Sequence, residues 1–181
     1  SGAAGLAFLS GCEVRDQGVG DLGERMVNAL SAAMTRAAMT RAAMTHDGSW
    51  ALILGSDAVG LPPEYLAHAA ARLRDPAGPA VVLGPAMDGG YYLLGVRATH
   101  REALRAALIG VRFGSYHARE DTLIGLAREG LSVALLPTFF DVDHAEDLLR
   151  LMRHLQRHPE LACPATRRAL DLPSAPLDTS S

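Results

Sequence analysis

Four carboxylates stand just after short apolar runs: Asp57 after ALILG, Asp88 in the GPAMDGG that follows AVVL, and Asp141 with Asp143 in FFDVD after SVALL. Carboxylates gathered without Lys and without a Cys/His set suit a hard cation, Mg²⁺ or Mn²⁺. Such an ion binds through one or two of them and completes its shell with water and phosphate oxygens. The paired glycines of Asp88-Gly89-Gly90 permit positive φ and close backbone approach, and exposed N–H groups there can meet an anion or a sugar hydroxyl. Tyr91 and Tyr92 can stack on a ring or pack. Each feature has a plainer reading as well. A strand-terminal Asp also serves as a turn former or helix cap, and Asp143 has Glu146 at the capping-box spacing, which leaves Asp141 the better ligand of that pair. DGG is equally a hairpin turn signal. The seven His residues show no defensible Ser/His/Asp spacing and read as solvated or capping groups.

Composition narrows the chemistry further. The chain has 181 residues, 49% hydrophobic, enough for one sizeable core. A net charge of -3 removes the basic excess that a nucleic-acid backbone would need. All 17 basic residues are Arg and none is Lys, which excludes Schiff-base chemistry and a lysine phosphate clamp. Cys12 and Cys163 are isolated, so neither a disulfide framework nor a zinc site is expected, and a reducing cytoplasm is the plain reading. No apolar run has the length of a membrane-spanning helix.

The elements that must position these groups can be read along the chain. Asp21 and Glu24 form a capping-box pattern for a helix from Leu22 to about Thr45. Within it, residues 32–46 repeat a unit three times, AAMTR-AAMTR-AAMTH. Each five-residue step turns a helix by about 500°, so the Met residues cannot line one stripe, and the repeat is read as an inserted surface extension. ALILG, AVVL and SVALL read as strands buried on both faces. Helices are expected from Pro63 to about Arg74, from a Thr99/Glu102 capping box to about Ile109, over 117–129 with Gly130 as the stop, and from Asp143/Glu146 to about Arg157. Strands alternating with helices predict a three-layer α/β/α domain over residues 1–158 with a mainly parallel sheet, followed by a loose Pro-rich tail over 159–181. In such a sheet the carboxyl ends of the strands form the ligand crevice, so the four aspartates converge there.

Taken in order, QGVGDLGERM, ALILGSD, VVLGPAMDGGYYLLGV and FFDVDHAEDL resemble the bacterial glycosyltransferase-A-like family labelled selenodomain-associated transferase 1, over about Asp16 to Leu149. The resemblance implies a nucleotide-diphospho-sugar transferase fold, a nucleotide or nucleotide-sugar donor with a small acceptor, and a divalent cation. It implies that Asp57 and Asp141 are metal-binding aspartates, with Asp57 at the centre of the chemistry and Asp143 beside Asp141. It further implies that Gly84, Pro85, Asp88, Gly89 and Gly90 receive the sugar or acceptor, beside which Tyr91 is a substrate-binding candidate. The KxPxPGxVKTRL phosphate loop of that family does not precede QGVGDLGERM, so the fold is expected to be N-terminally incomplete.

Two functions are consistent with these features: a transferase moving a glycosyl or nucleotidyl group from a nucleotide donor with Mg²⁺, or a non-catalytic binding module that has lost the nucleotide half. The unpaired sheet edge that follows from a missing start predicts self-association or a complementing chain.

Overall fold

A computed structural model describes residues 16, 18–40 and 50–173, of which 36–40 as backbone. Helix α1, Leu22–Thr40, begins where the capping box places it. Glu24 N–H donates to Asp21 Oδ1 at 2.8 Å and Asp21 N–H to Glu24 Oε2 at 3.3 Å. Val27, Leu30 and Met34, at i, i+3 and i+7, are its buried face. The first copy of the AAMTR unit therefore carries a core residue and is not a surface extension; residues 41–46 lie outside the described residues.

Strand β1, Trp50–Leu54, leads to α2, Pro63–Arg74, with Pro63 in the first turn, where a missing N–H costs nothing. The Asp75–Gly78 turn that ends α2 is fastened by Arg97, whose guanidinium donates to the Asp75 and Pro76 carbonyls. Strand β2, Val81–Pro85, turns through residues 86–90 into β3, Tyr91–Arg97, and β4 is the short Val133–Leu135. The sheet order is β1-β3-β2-β4. β3 is antiparallel to both β1 and β2, while β2 and β4 are parallel. Three strands thus share a direction, but the sheet is mixed, contrary to the mainly parallel expectation. The physical reason is the DGG segment, which closes a hairpin with Ala86 N–H donating to Gly90 O at 3.1 Å.

Expected burial on both faces holds for β2 alone. β1 and β4 are the sheet edges among the described residues, leaving Leu54 41% and Leu135 52% exposed. Side chains alternate across β2: Val81 and Leu83 join Val27 and Leu30 of α1 with Leu104, Ala107 and Leu126 in one buried cluster, and Val82 joins Ala69 and Leu73 of α2 with Leu151 and Leu155 in another. Each fully buried Leu or Val in these clusters contributes about 1.5–3 kcal/mol of transfer free energy.

Helix α3, Arg101–Ala107, follows a short 3-10 turn, Ala98–His100, and the expected Thr99/Glu102 box does not form. Thr99 Oγ1 is engaged by His100 Nδ1 at 2.9 Å, and Glu102 pairs with Arg101 and Arg105. Helix α4, Ala118–Arg128, packs on α3 at Gly125, where any Cβ would overlap the Ala107 carbonyl. Gly130, at φ 65°, ends it as predicted, with Leu131 N–H reaching Leu126 O at 2.9 Å.

Helix α5, Ala145–Arg157, is capped one residue later than predicted: His144 N–H donates to Asp147 Oδ2 at 3.0 Å, and Asp143 N–H reaches the same oxygen at 3.3 Å. Residues 159–173, read from the sequence as the start of a loose tail, instead fold onto α5. Leu161 is buried and α6, Pro164–Ala169, presents a buried Arg167. Among the described residues no helix is long and apolar enough to cross a membrane.

Candidate functional site

The turn after β2 positions Asp88. Met87 N–H donates to Phe139 O and Phe139 N–H to Pro85 O, both at 3.0 Å, so the hairpin is zipped to the segment that carries Asp141. Asp88 Oδ1 accepts Gly90 N–H at 2.7 Å, fixing one oxygen in the turn. Gly89 has φ 93°, and any Cβ there would overlap the backbone of Tyr116. Gly84 and Pro85 are buried strand residues. Gly84 is demanded by the Tyr92 ring, whose Cε2 would lie 2.6 Å from a Cβ at that position. Tyr92 in turn donates its hydroxyl to Pro137 O at 3.0 Å.

This zipper brings Asp88, Asp141 and Asp143 together, with one carboxylate oxygen from each within 4.8 Å of the others. Among the described residues no cation pairs with any of them. Because the α5 cap uses His144 and Asp147, the Asp143 side chain is released from the capping role that the sequence allowed it. Burial, then the neighbouring Asp88 carboxylate, with Asp143 and Asp57 adding to it, pushes the Asp141 carboxyl up to about 6. Three crowded carboxylates with no nitrogen or sulfur donor match the ligand set of a hard divalent cation.

Asp57 stands beside this trio rather than in it. Its carbonyl accepts Val142 N–H at 3.1 Å, which ties the loop after β1 to the residue following Asp141. Gly55 donates its N–H to Tyr92 O at 2.8 Å, and a side chain at Gly55 would strike the Asp57 carboxylate. Asp57 also borders a cleft of about 490 Å³ between α1 and the end of β1, lined by Arg25, Met26, Ile53, Ser56 and Tyr91. Burial pushes the Tyr91 hydroxyl up to about 12, with Thr122 opposing the shift, so Tyr91 stays protonated; the hydroxyl is sequestered and the residue offers the cleft an apolar wall.

The sequence offers all four aspartates as cation ligands and the resemblance assigns Asp57 to the metal and Asp88 to the sugar loop, while the structure gathers Asp88, Asp141 and Asp143. The loop before α4 joins this hairpin: Arg119 N–H donates to Gly89 O at 3.0 Å, and Tyr116 lies against the same glycine. The one local signal was Gly89 itself, whose positive φ marks a close backbone approach without naming the partner.

The family described as an uncharacterized protein conserved in bacteria (DUF2064) matches residues 2–115. The chain is also similar to a crystal structure from Desulfovibrio desulfuricans, provisionally described as a nucleotide-diphospho-sugar transferase. The two share 26% sequence identity and a TM-score of 0.68, over 94% of this chain and 70% of that one. No curated protein matches.

Proposed function

We propose that this chain, which belongs to the bacterial DUF2064 family, is a transferase that binds a nucleotide or nucleotide-sugar donor through a divalent cation held by Asp88, Asp141 and Asp143. The observation that carries this reading is the crowding of three carboxylates at the end of the sheet with no cationic partner among the described residues. Like charges held this close raise the free energy of the folded chain, and a bound divalent ion would offset that cost. The similarity to a protein described as a nucleotide-diphospho-sugar transferase supports donor chemistry of that class. The narrower likeness to selenodomain-associated transferases, Mg²⁺ or Mn²⁺ as the ion, and a cytoplasmic setting belong to the same proposal.

A cation held by Asp88, Asp141 and Asp143 would supply charge neutralisation for the phosphate oxygens of a leaving pyrophosphate or nucleoside diphosphate. The protein's own residues do the rest. Asp57 borders both the trio and the cleft beside α1, so it is placed to orient a donor whose nucleoside part enters that cleft and whose phosphates face the aspartates. Gly89 and Gly90 keep the hairpin close to the acceptor side, and the acidic rim selects against free anions that arrive without a metal.

Calorimetric titration with nucleoside triphosphates and nucleotide sugars, with and without Mg²⁺, tests the proposal. Magnesium-dependent binding of one donor, lost in Asp141→Asn, is expected. Binding that ignores magnesium, or survives Asp141→Asn unchanged, would sink it. A second reading, a module that binds without turning over, is favoured by the outer edge of β1, which pairs with nothing among the described residues. Donor binding without release of product over hours would select it.

A further inference from the structure

The loop between α3 and α4 is exposed yet firmly held. Arg112 donates to the Asp121 carboxylate from its backbone N–H at 3.1 Å and from Nε and Nη2 at 2.8 Å each. Ser115 Oγ donates to Arg112 O at 2.7 Å and accepts His117 N–H at 3.3 Å. Tyr116 then lies with its backbone pressed on Gly89, and the following turn is tied there by the Arg119 to Gly89 hydrogen bond. The loop is thereby pinned to the hairpin that carries Asp88.

On this fixed backbone Tyr116 is 74% exposed as a residue and belongs to neither core cluster. One side rests on His117, with ring centroids 3.9 Å apart and a 39° tilt. Burial does not explain an aromatic ring here, and an apolar surface offered on a rigid support is how proteins receive a ring-shaped ligand. Asp88 precedes the glycine that the Tyr116 backbone abuts, and Glu120 pairs with the neighbouring His117; both carboxylates accept hydrogen bonds and donate none when ionised. The complementary ligand has an apolar face and many hydroxyl donors.

We infer that Tyr116 is a platform for a pyranose ring, which lays its C–H face on the exposed tyrosine while its hydroxyls donate to Asp88 and its neighbours. The inference rests on the transferase reading of the acidic trio and deepens it by assigning the sugar subsite. The ring belongs either to the donor or to a free acceptor.

The test is calorimetric titration of the full chain in magnesium chloride. The probes are UDP-glucose and GDP-mannose, each against UDP and GDP, and methyl α-glucoside and methyl α-mannoside added to the nucleotide-bound chain. Tyr116→Ala is expected to weaken the sugar-bearing probe by about three- to tenfold, with UDP and GDP affinity unchanged and Tyr116→Phe close to wild type. Loss on a nucleotide sugar assigns the donor ring, and loss on a methyl glycoside assigns the acceptor. Equal loss for UDP or GDP would put a base on Tyr116 and overturn the inference, as would sugar affinity that Tyr116→Ala leaves intact. A wild-type chain that binds UDP or GDP but gains nothing from any sugar overturns it while leaving the trio standing. No magnesium-dependent nucleotide binding at all overturns the reading of the trio, and this subsite with it.

Discussion

Charge is handled in opposite ways at two places in this fold. Behind α5, the buried guanidinium of Arg167 donates to the carbonyls of Leu155, His158, Pro159, Leu161 and Pro173, so every side of the ion is met by backbone oxygen. Leu155 O is one of the carbonyls that the end of α5 leaves without a helical partner, the others belong to the cap and the chain that folds back on it, and the positive group also complements the negative end of the helix dipole. At the rim of the sheet, by contrast, Asp88, Asp141 and Asp143 face one another with no cation among the described residues. The first region pairs its charge fully within the chain, whereas the second crowds like charges together with no cationic partner among the described residues. Crowded like charges that the fold nonetheless maintains favour a bound cation.

The largest effect should come from the satisfied region. Arg167→Ala leaves several sequestered carbonyls without donors and is expected to cost about 3 kcal/mol in urea denaturation; Arg167→Lys, which lacks the planar fork, should lose most of the same amount. A near-neutral Arg167→Ala would erase the contrast. Next comes strain at the rim. Gly89→Ala puts a Cβ into the Tyr116 backbone at φ 93° and should cost about 2 kcal/mol, visible as a lowered thermal midpoint. If it costs nothing, the hairpin and the α4 loop are not pinned to each other.

The two regions also differ in how far sequence alone reveals them. Local signals carried well: Asp21 with Glu24 opened α1, Pro63 opened α2, and Gly130 closed α4, because each depends on residues within one turn. What depended on distant pairing did not carry. DGG fits both a loop and a hairpin, and only the pairing of β2 with β3 decides, which in turn turns β3 against its neighbours. Asp88 reaches the trio because Met87 and Phe139 are zipped together across the chain, a contact with no sequence signature. The α5 cap was misplaced by one residue since Asp143/Glu146 and His144/Asp147 share the same spacing, and that single step decides whether Asp143 is a cap or a ligand. Arg167 was invisible because its partners are backbone carbonyls, which every sequence has.

A smaller effect separates the acidic rim from an ordinary hydrogen-bonded cluster. The Asp141 carboxyl sits at about 6 in the folded chain against an ordinary 3.8, so the folded state holds a proton that the unfolded state has released. That contribution to stability is full below about pH 3.8 and is lost as pH rises through 6. Without divalent ions at pH 7, Asp141→Asn should therefore be more stable than wild type, by about 1 kcal/mol once solvent screening is allowed for. The gain should vanish in acid and reverse in sign when magnesium is added, since wild type then gains a ligand the variant cannot hold. Destabilisation by Asp141→Asn in chelator would mean that the rim is satisfied after all.

The smallest effect concerns the pair that braces the Tyr116 loop. Hydrogen bonds from Arg112 hold the Asp121 carboxyl down at about 2, below its ordinary 3.8. The folded state therefore releases this proton more readily than the unfolded one, and the pair's stabilisation is present above about pH 3.8 and disappears as pH falls through 2. The ion pair lies at the surface and salt screens it, so Asp121→Asn should lower the thermal midpoint only slightly at pH 7, and less at high ionic strength. Wild type and variant should converge near pH 2. A gap that persists there would assign the bracing to packing of the loop on Gly89 rather than to charge, and would place the rigidity of the tyrosine platform in the hairpin contact alone.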